Sequence, residues 1–286
     1  MCIIEPLKAD KVAIAVSFRW WSGHSSDCGR RRKVNEDALL SLPERGIWVV
    51  ADGMGGHSRG DRASQLVIEA ISQVPVCHSI DELVTRVRES LHLANKNVLA
   101  ESQSLGEGKI MGSTVVVLLI HDNDCACLWA GDSRVYRLRE GKLKALTKDH
   151  SVVQQMVDAG EIKPEEARGH PASNRITRAV GARERLAVDE IRGHLRDGDT
   201  FLLCSDGLII EVEEEELAAL LEGGDSQAIA QEMMDLTLLR GARDNVTLQI
   251  VQIEETTGVQ LHTADRTAIN YTFRKRLVQG VRTVAN

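Results

Sequence analysis

The sequence predicts an α+β fold in which antiparallel sheets are covered by helices, and three observations carry that prediction. Runs of strand length rich in Val, Ile and Leu recur at 12–18, 47–51, 114–121, 125–130, 135–139, 200–204 and 246–253. Several are joined by only a few residues, which suits hairpins, because a parallel crossover needs a dozen or more. Long amphipathic helical patterns lie between the groups of strands.

Taken in order, the segment 62–72 sets Ala63, Val67, Ala70 and Ile71 on one helical face. Ser79 and Glu82 have the form of a capping box, after which Leu83, Val87, Leu91, Ala94 and Val98 recur at helical spacing. The stretch VVVLLIHDNDCACLWAGDSRVYRLREGKLKAL reads as successive hairpins, with Asp122, Asn123 and Asp124 as one turn. A D-x-D calcium loop competes there, but its later ligands and closing Glu are missing. The acidic run from Glu213 to Glu216, placed after a strand, suits a helix N-terminus, where the macrodipole favours negative charge. A last helix begins near Ser226, carries Ile229, Met233 and Leu236 on one face, and stops at Gly241. Beyond it, Arg266, Arg274, Lys275, Arg276 and Arg282 face the single acid Asp265, so residues 256–286 read as a basic tail, flexible or used for docking.

Composition narrows the class. A chain of 286 residues with 43% hydrophobic content can bury one large core as a single domain. Its net charge of -7 argues against nucleic acid as the main partner, since that needs a basic face. The cysteines Cys2, Cys28, Cys77, Cys125, Cys127 and Cys204 show neither a C-x-x-C pair nor a disulfide spacing, and read as free thiols. The N-terminal MCIIEPLKADK lacks the basic-then-apolar order of a signal peptide, and no apolar run approaches the roughly 20 residues of a membrane span. A cytoplasmic protein is expected.

Four aspartates stand where apolar runs meet small or polar neighbours: Asp52 in VVADGMGGH, Asp132 in WAGDSR, Asp206 in LLCSDGL and Asp244 in ARDNVTLQIV. A fold that gathers strand ends would bring them together, and converging carboxylates repel unless a hard divalent cation neutralises them. A second acidic cluster, Asn35-Glu36-Asp37, follows the basic run Arg30, Arg31, Arg32 and Lys33. An arginine beside carboxylates has two readings, a surface ion pair or the fork that holds an anionic substrate.

The ordered set S-D-x-G-x-x-R-x-x-N-E-D at 26–37, A-D-G-M-G-G-H at 51–57, G-S-T at 112–114, G-D-S-R at 131–134 and T-K-D-H-S at 147–151 continues further along the chain. N-R-I-T-R follows at 174–178, G-D-T-F-L-L-C-S-D-G-L at 198–208 and D-N-V-T at 244–247. Together they resemble the bacterial metal-dependent protein phosphatases of the type 2C class, over residues 12–253. The resemblance implies a four-layer αββα sandwich, two antiparallel β-sheets flanked by helices, with a small flap subdomain at about 149–181 and a catalytic domain spanning 1–255. It also implies two Mn²⁺ or Mg²⁺ ions with a possible third. Asp52 would bridge the ions, the Gly53 carbonyl would ligate one, Asp206 and Asp244 would complete a shell, and Asp132 would serve the third ion. Glu36 and Asp37 would hold metal-bound waters from behind, and Arg32 would bind the phosphate.

The activity so implied is hydrolysis of phosphoserine and phosphothreonine in proteins by a metal-bridging hydroxide, opposing a bacterial Ser/Thr kinase, by a monomer. A cysteine-based route would need C-x-x-x-x-x-R, which none of the six cysteines has. Its rivals are a binding module without turnover and an enzyme for small phosphorylated metabolites. Where many relatives carry His after the D-G pair, this chain has Met54, and His57 stands nearby either to order metal-bound water or to act as the acid. In the flap, His170, Asn174, Arg175 and Arg178 are candidate contacts for the phosphoprotein. Alternatively Ile176 and Thr177 merely anchor the flap.

Overall fold

In the computed structural model, which describes residues 14–55, 59–106 and 110–259, eleven strands and seven α-helices alternate in groups among the described residues. The order is β1 (Ile14–Asp27), β2 (Asp37–Leu42), β3 (Ile47–Gly55), α1 (Gly60–Ser72), α2 (Ile80–Ser104), β4 (Met111–Ser113), β5 (Val115–His121) and β6 (Asp124–Ala130). There follow β7 (Arg134–Arg139), β8 (Lys142–Ala145), α3 (Val152–Asp158), α4 (Pro164–Ala167), β9 (Asp189–His194), β10 (Thr200–Cys204), α5 (Asp206–Glu211), α6 (Glu214–Leu221), α7 (Ser226–Arg240) and β11 (Val246–Val259). One sheet runs β2-β3-β5-β6-β9, with β4 paired to the end of β3, and the other runs β1-β11-β10-β7-β8.

Side-chain alternation divides Phe18–Glu254, a single compact unit, into layers. On β3 and β5, Ile47, Val49, Ala51, Val115, Val117 and Leu119 face α1 and α2, where Val67, Ile71, Val87 and Leu91 meet them. The intervening Trp48, Val50, Val116 and Leu118 instead meet Val135, Phe201, Leu203 and Val251 of the other sheet. The outer face of that second sheet, with Leu202, Leu248 and Ile250, is covered by Leu217, Ile229 and Met233 of α6 and α7. These cores are the physical content of an αββα sandwich. A second unit comprises, within the described residues, 14–17 and 255–259, where the Ser17 and Thr256 hydroxyls share a 2.8 Å hydrogen bond.

Local signals account for the helix ends. The Ser79 hydroxyl accepts from the Glu82 N–H, while Glu82 accepts from His78 N–H. Asp225 caps α7 by accepting from Gln227 and Ala228, and the helix ends before Gly241. The acidic run opens α6, with Glu216 accepting from the Glu213 N–H. Two readings need correction. The segment before that run is helix α5, not a strand. Consecutive pairing also fails within the long hairpin stretch: β5 pairs with β6 around Asp122 and Asn123, and β7 with β8, but β6 and β7 belong to different sheets. The three-residue Gly131–Ser133 link therefore crosses between the sheets and carries Asp132 to their common edge.

Strand β11 continues to Val259, into the first residues of the expected tail. The remainder of the basic tail lies outside the described residues, as do Cys2 and His57. Cys77, Cys125, Cys127 and Cys204 are free and buried, and Cys28 is free and half-buried. No helix among the described residues is long and apolar enough to cross a membrane.

Candidate metal centre

Register explains how the acidic residues meet. Asp37 and Asp52 are direct partners across the β2–β3 ladder, so their side chains share one face. That face is the inter-sheet one, since Asp52 continues the alternation of Trp48 and Val50. Asp52 is thus not at a strand end: β3 runs on to pair Gly53 with Ser113 of β4. From the opposite sheet, β10 ends at Cys204, Ser205 stands at the N-terminal boundary of the next helix, and Asp206 opens α5. The Ser205 hydroxyl donates to Asp37 Oδ2 at 2.8 Å and ties the two sheets at this edge.

Electrostatics records the crowding. Burial pushes the Asp37 carboxyl up to about 7 and Asp132 up to about 8, with the charge of Asp206 adding to both. Asp206 rises to about 6 by burial and then by repulsion from Asp244, against a hydrogen bond with Asp52 that favours its charged form. Asp52 lies well above the carboxylate range, driven first by burial and then by Asp37, Asp206, Asp132 and Asp244. Glu36 is also raised, chiefly by burial, although its Oε1 accepts from the Gly60 N–H at 3.1 Å.

Asp244 is held differently. Its Oδ2 accepts from Arg32 at 2.7 Å, the largest influence in raising the arginine, and its Oδ1 accepts from the Asn245 N–H. Arg32, Asp132, Asp206 and Asp244 line a cleft of about 670 Å³, whose farther walls come from Gln154, Pro164, Arg168, Asn174 and the α5–α6 junction. Of the flap candidates, Asn174 reaches this cleft. Arg178 is instead bound to Asp189 at 2.6 Å and to His150 at 3.2 Å, and His170 accepts from the Ala172 N–H. Arg175 offers its carbonyl to Val152, Ile176 bridges Ser151, and the Thr177 N–H donates to His150. The segment 175–178 is thus tied down through the backbone at Arg175, Ile176 and Thr177 and through the Arg178 side chain.

Oxygen donors alone surround the edge, the set that suits hard divalent ions. Asp37 Oδ1 is buried with no hydrogen-bond partner, as fits a group built to face a cation or its water. Among the described residues no three His, Cys, Asp or Glu side chains stand ready to hold an ion as they are. Arg32 supplies the positive charge at Asp244, and Asp206 shares a hydrogen bond with Asp52. Four carboxylates that repel one another at a single edge, two of them buried, call for a compensating charge. Gly53 fits close packing: a Cβ there would stand 2.0 Å from the Gly60 carbonyl oxygen and 2.5 Å from that of Glu36.

Several supporting residues were not singled out in the sequence. Asn245 donates to the Cys28 and Val34 carbonyls and accepts from the Glu36 N–H, so it holds the loop bearing Arg32. Thr114 Oγ1 accepts from the Asp52 N–H, and the Ser64 hydroxyl donates to the Glu36 carbonyl. Arg134 forks onto Asp149 with two bonds of 2.8 Å beneath Asp132. Ser205, Thr114 and Asn245 sit inside the quoted motifs, so adjacency to the carboxylates was the available signal.

A two-sheet sandwich with a carboxylate cluster and an arginine at one edge defines a class of metal-dependent phosphoester-cleaving fold. The family model for protein phosphatase 2C matches residues 26–242, and the chain belongs to that metal-dependent family. The serine/threonine phosphatase Stp of Listeria monocytogenes is 33% identical over 79% of this chain and 93% of its own length. The serine/threonine protein phosphatase PstP of Mycobacterium tuberculosis is 35% identical over 80% of this chain, which spans only 44% of that protein. Among solved structures, PppA of Pseudomonas aeruginosa, described as a key regulatory component of T6SS, superposes with a TM-score of 0.78 at 42% identity, covering 85% of this chain and all of that one. The PstP catalytic domain in complex with two manganese ions has a TM-score of 0.74 at 33% identity, covering 84% of this chain and all of that one.

Proposed function

We propose that this protein is a metal-dependent phosphoprotein phosphatase acting on phosphoserine and phosphothreonine. The observation that carries the reading is the convergence at one edge of Asp37 and Asp132, both buried, with the half-buried Asp52 and Asp206, and with Arg32 on the cleft beside them. Asp52, the Gly53 carbonyl, Asp206 and Asp244 would hold Mn²⁺ or Mg²⁺, and Asp132 would serve a third ion. When bound, the metal supplies an activated water and neutralises charge on the phosphate. Glu36 and Asp37 orient what lies behind the ligands, Asp37 through its unpartnered Oδ1. Arg32 is half-exposed and, among the described residues, its side chain pairs with Asp244 alone, so its fork can turn to phosphate oxygens and hold them through the transition state.

The two relatives named as serine/threonine phosphatases support the substrate class. A Ser/Thr kinase that makes the substrate, a monomeric state and a cytoplasmic site of action belong to the same proposal. The free buried thiols suit a reducing compartment. The test is hydrolysis of a phosphothreonine peptide with Mn²⁺, with and without chelator, by the natural protein and by Asp206→Asn. Turnover that ignores both manipulations would overturn the reading.

A further inference from the structure

The basic run before the acidic cluster is only partly used by the site, since Arg32 alone pairs with Asp244. Arg30, Arg31 and Lys33 are exposed, and among the described residues their side chains make no hydrogen bond or ion pair. On a chain of net charge -7 this is unusual company for an acidic centre. Other arginines, such as Arg62, Arg88, Arg139, Arg192 and Arg240, are held by carboxylates. On the far wall of the cleft, Arg168 is paired with Glu213, and Arg243 with Glu211.

The loop that displays these cations is fixed. Asn245 grips it at both ends, donating to the Cys28 carbonyl at 2.9 Å and the Val34 carbonyl at 3.0 Å. The Arg30 N–H donates to the Ala242 carbonyl at 2.9 Å, and Cys28 Sγ donates to the Arg32 carbonyl at 3.2 Å. Gly29 packs so tightly on the Asp244 carbonyl that a Cβ would stand 2.1 Å from its oxygen. Three unpaired cations are thereby held within two residues of the arginine that faces the cleft.

We propose that Arg30, Arg31 and Lys33 select phosphopeptides with anionic groups flanking the phosphorylated residue. Resting on the phosphatase reading, this names its substrate class. A peptide whose phosphate lies at Arg32 brings its neighbouring residues over the same loop. Exposed ion pairs are individually weak and screened by salt, so three together favour an acidic peptide by about tenfold at low ionic strength.

The experiment compares kcat/KM for phosphothreonine peptides flanked by Asp and Glu, by Ala, or by a second phosphoserine, at low and high salt. The natural protein and the triple variant Arg30→Ser, Arg31→Ser, Lys33→Ser are assayed side by side. The expected result is an acidic preference of about tenfold in the natural protein, shared by the diphosphorylated peptide, reduced by salt and reduced to about twofold or less in the variant. If the diphosphorylated peptide alone is preferred, the flanking group selected is phosphate, and the same variant must abolish that preference. Equal rates on acidic and neutral peptides by the natural protein, or a preference that survives in the variant, would overturn the inference while leaving the phosphatase reading intact. Failure of the natural protein to hydrolyse any of the peptides would overturn both.

Discussion

Single residues at the acidic edge carry opposing demands of stability and chemistry. Ser205 gives Asp37 its side-chain hydrogen bond at Oδ2, while Oδ1 has none. Ser205→Ala should therefore destabilise the protein by about 1–3 kcal/mol in urea unfolding, the cost of leaving a buried acceptor unmade. Asp132→Asn should act in the other direction. It removes a buried carboxyl raised to about 8, so the metal-free fold should be no less stable while turnover on a phosphopeptide falls at least tenfold. At this scale the sequence was informative about identity and poor about partners. The four aspartates could be read because each interrupts an apolar run. The Arg32–Asp244 pair and the Ser205–Asp37 bond, spanning 212 and 168 residues, carry no local signal.

Elements place those residues, and here hydrophobic periodicity was legible while pairing was not. The patterns at 62–72, 79–98 and 226–241 became α1, α2 and α7. Strand β2 was missed because it is short and half-buried, and β9 because its DEIRGH sequence is largely polar on a sheet edge. The crossing of Gly131–Ser133 between sheets could not be told from a hairpin turn by length alone. The segment 149–181 is tied down at 175–178 and held more lightly beside α4, where Arg168 donates to the Ile209 and Ile210 carbonyls at 3.1 and 2.8 Å. Arg168→Ala should raise hydrogen exchange and proteolytic cleavage across 152–174, with global stability changed by less than about 1 kcal/mol, because the contacts are exposed.

Across the whole molecule, the two sheets are joined at this edge by polar ties as well as by the apolar layer. Gln249 reaches from β11 to the Leu40 and Val49 carbonyls of the other sheet, near the Ser205–Asp37 bond. The buried acids oppose those ties when unneutralised. Asp206, Asp37 and Asp132 are raised from 3.8 to about 6, 7 and 8, so between pH 4 and 8 these three carboxyls bind more protons in the folded metal-free protein than in the unfolded chain. Their contribution to stability falls as pH rises through that window and outweighs the opposing shift of His150. Thermal unfolding of metal-free protein should show a higher Tm near pH 5 than near pH 8, and saturating Mg²⁺ should flatten the slope. The full sandwich, unlike its strands, was legible only through the ordered motif set, since layer count depends on contacts between distant segments.

The most direct test of the acidic edge as a metal centre is calorimetric titration of Mn²⁺ into chelator-stripped protein, natural and Asp52→Asn, each first shown to be folded. Asp52 is the acid whose charge the other four oppose. The account predicts saturable binding with proton release in the natural protein, and at least a hundredfold weaker binding in the variant. Equal affinity in the two proteins, or no binding to either, would contradict it.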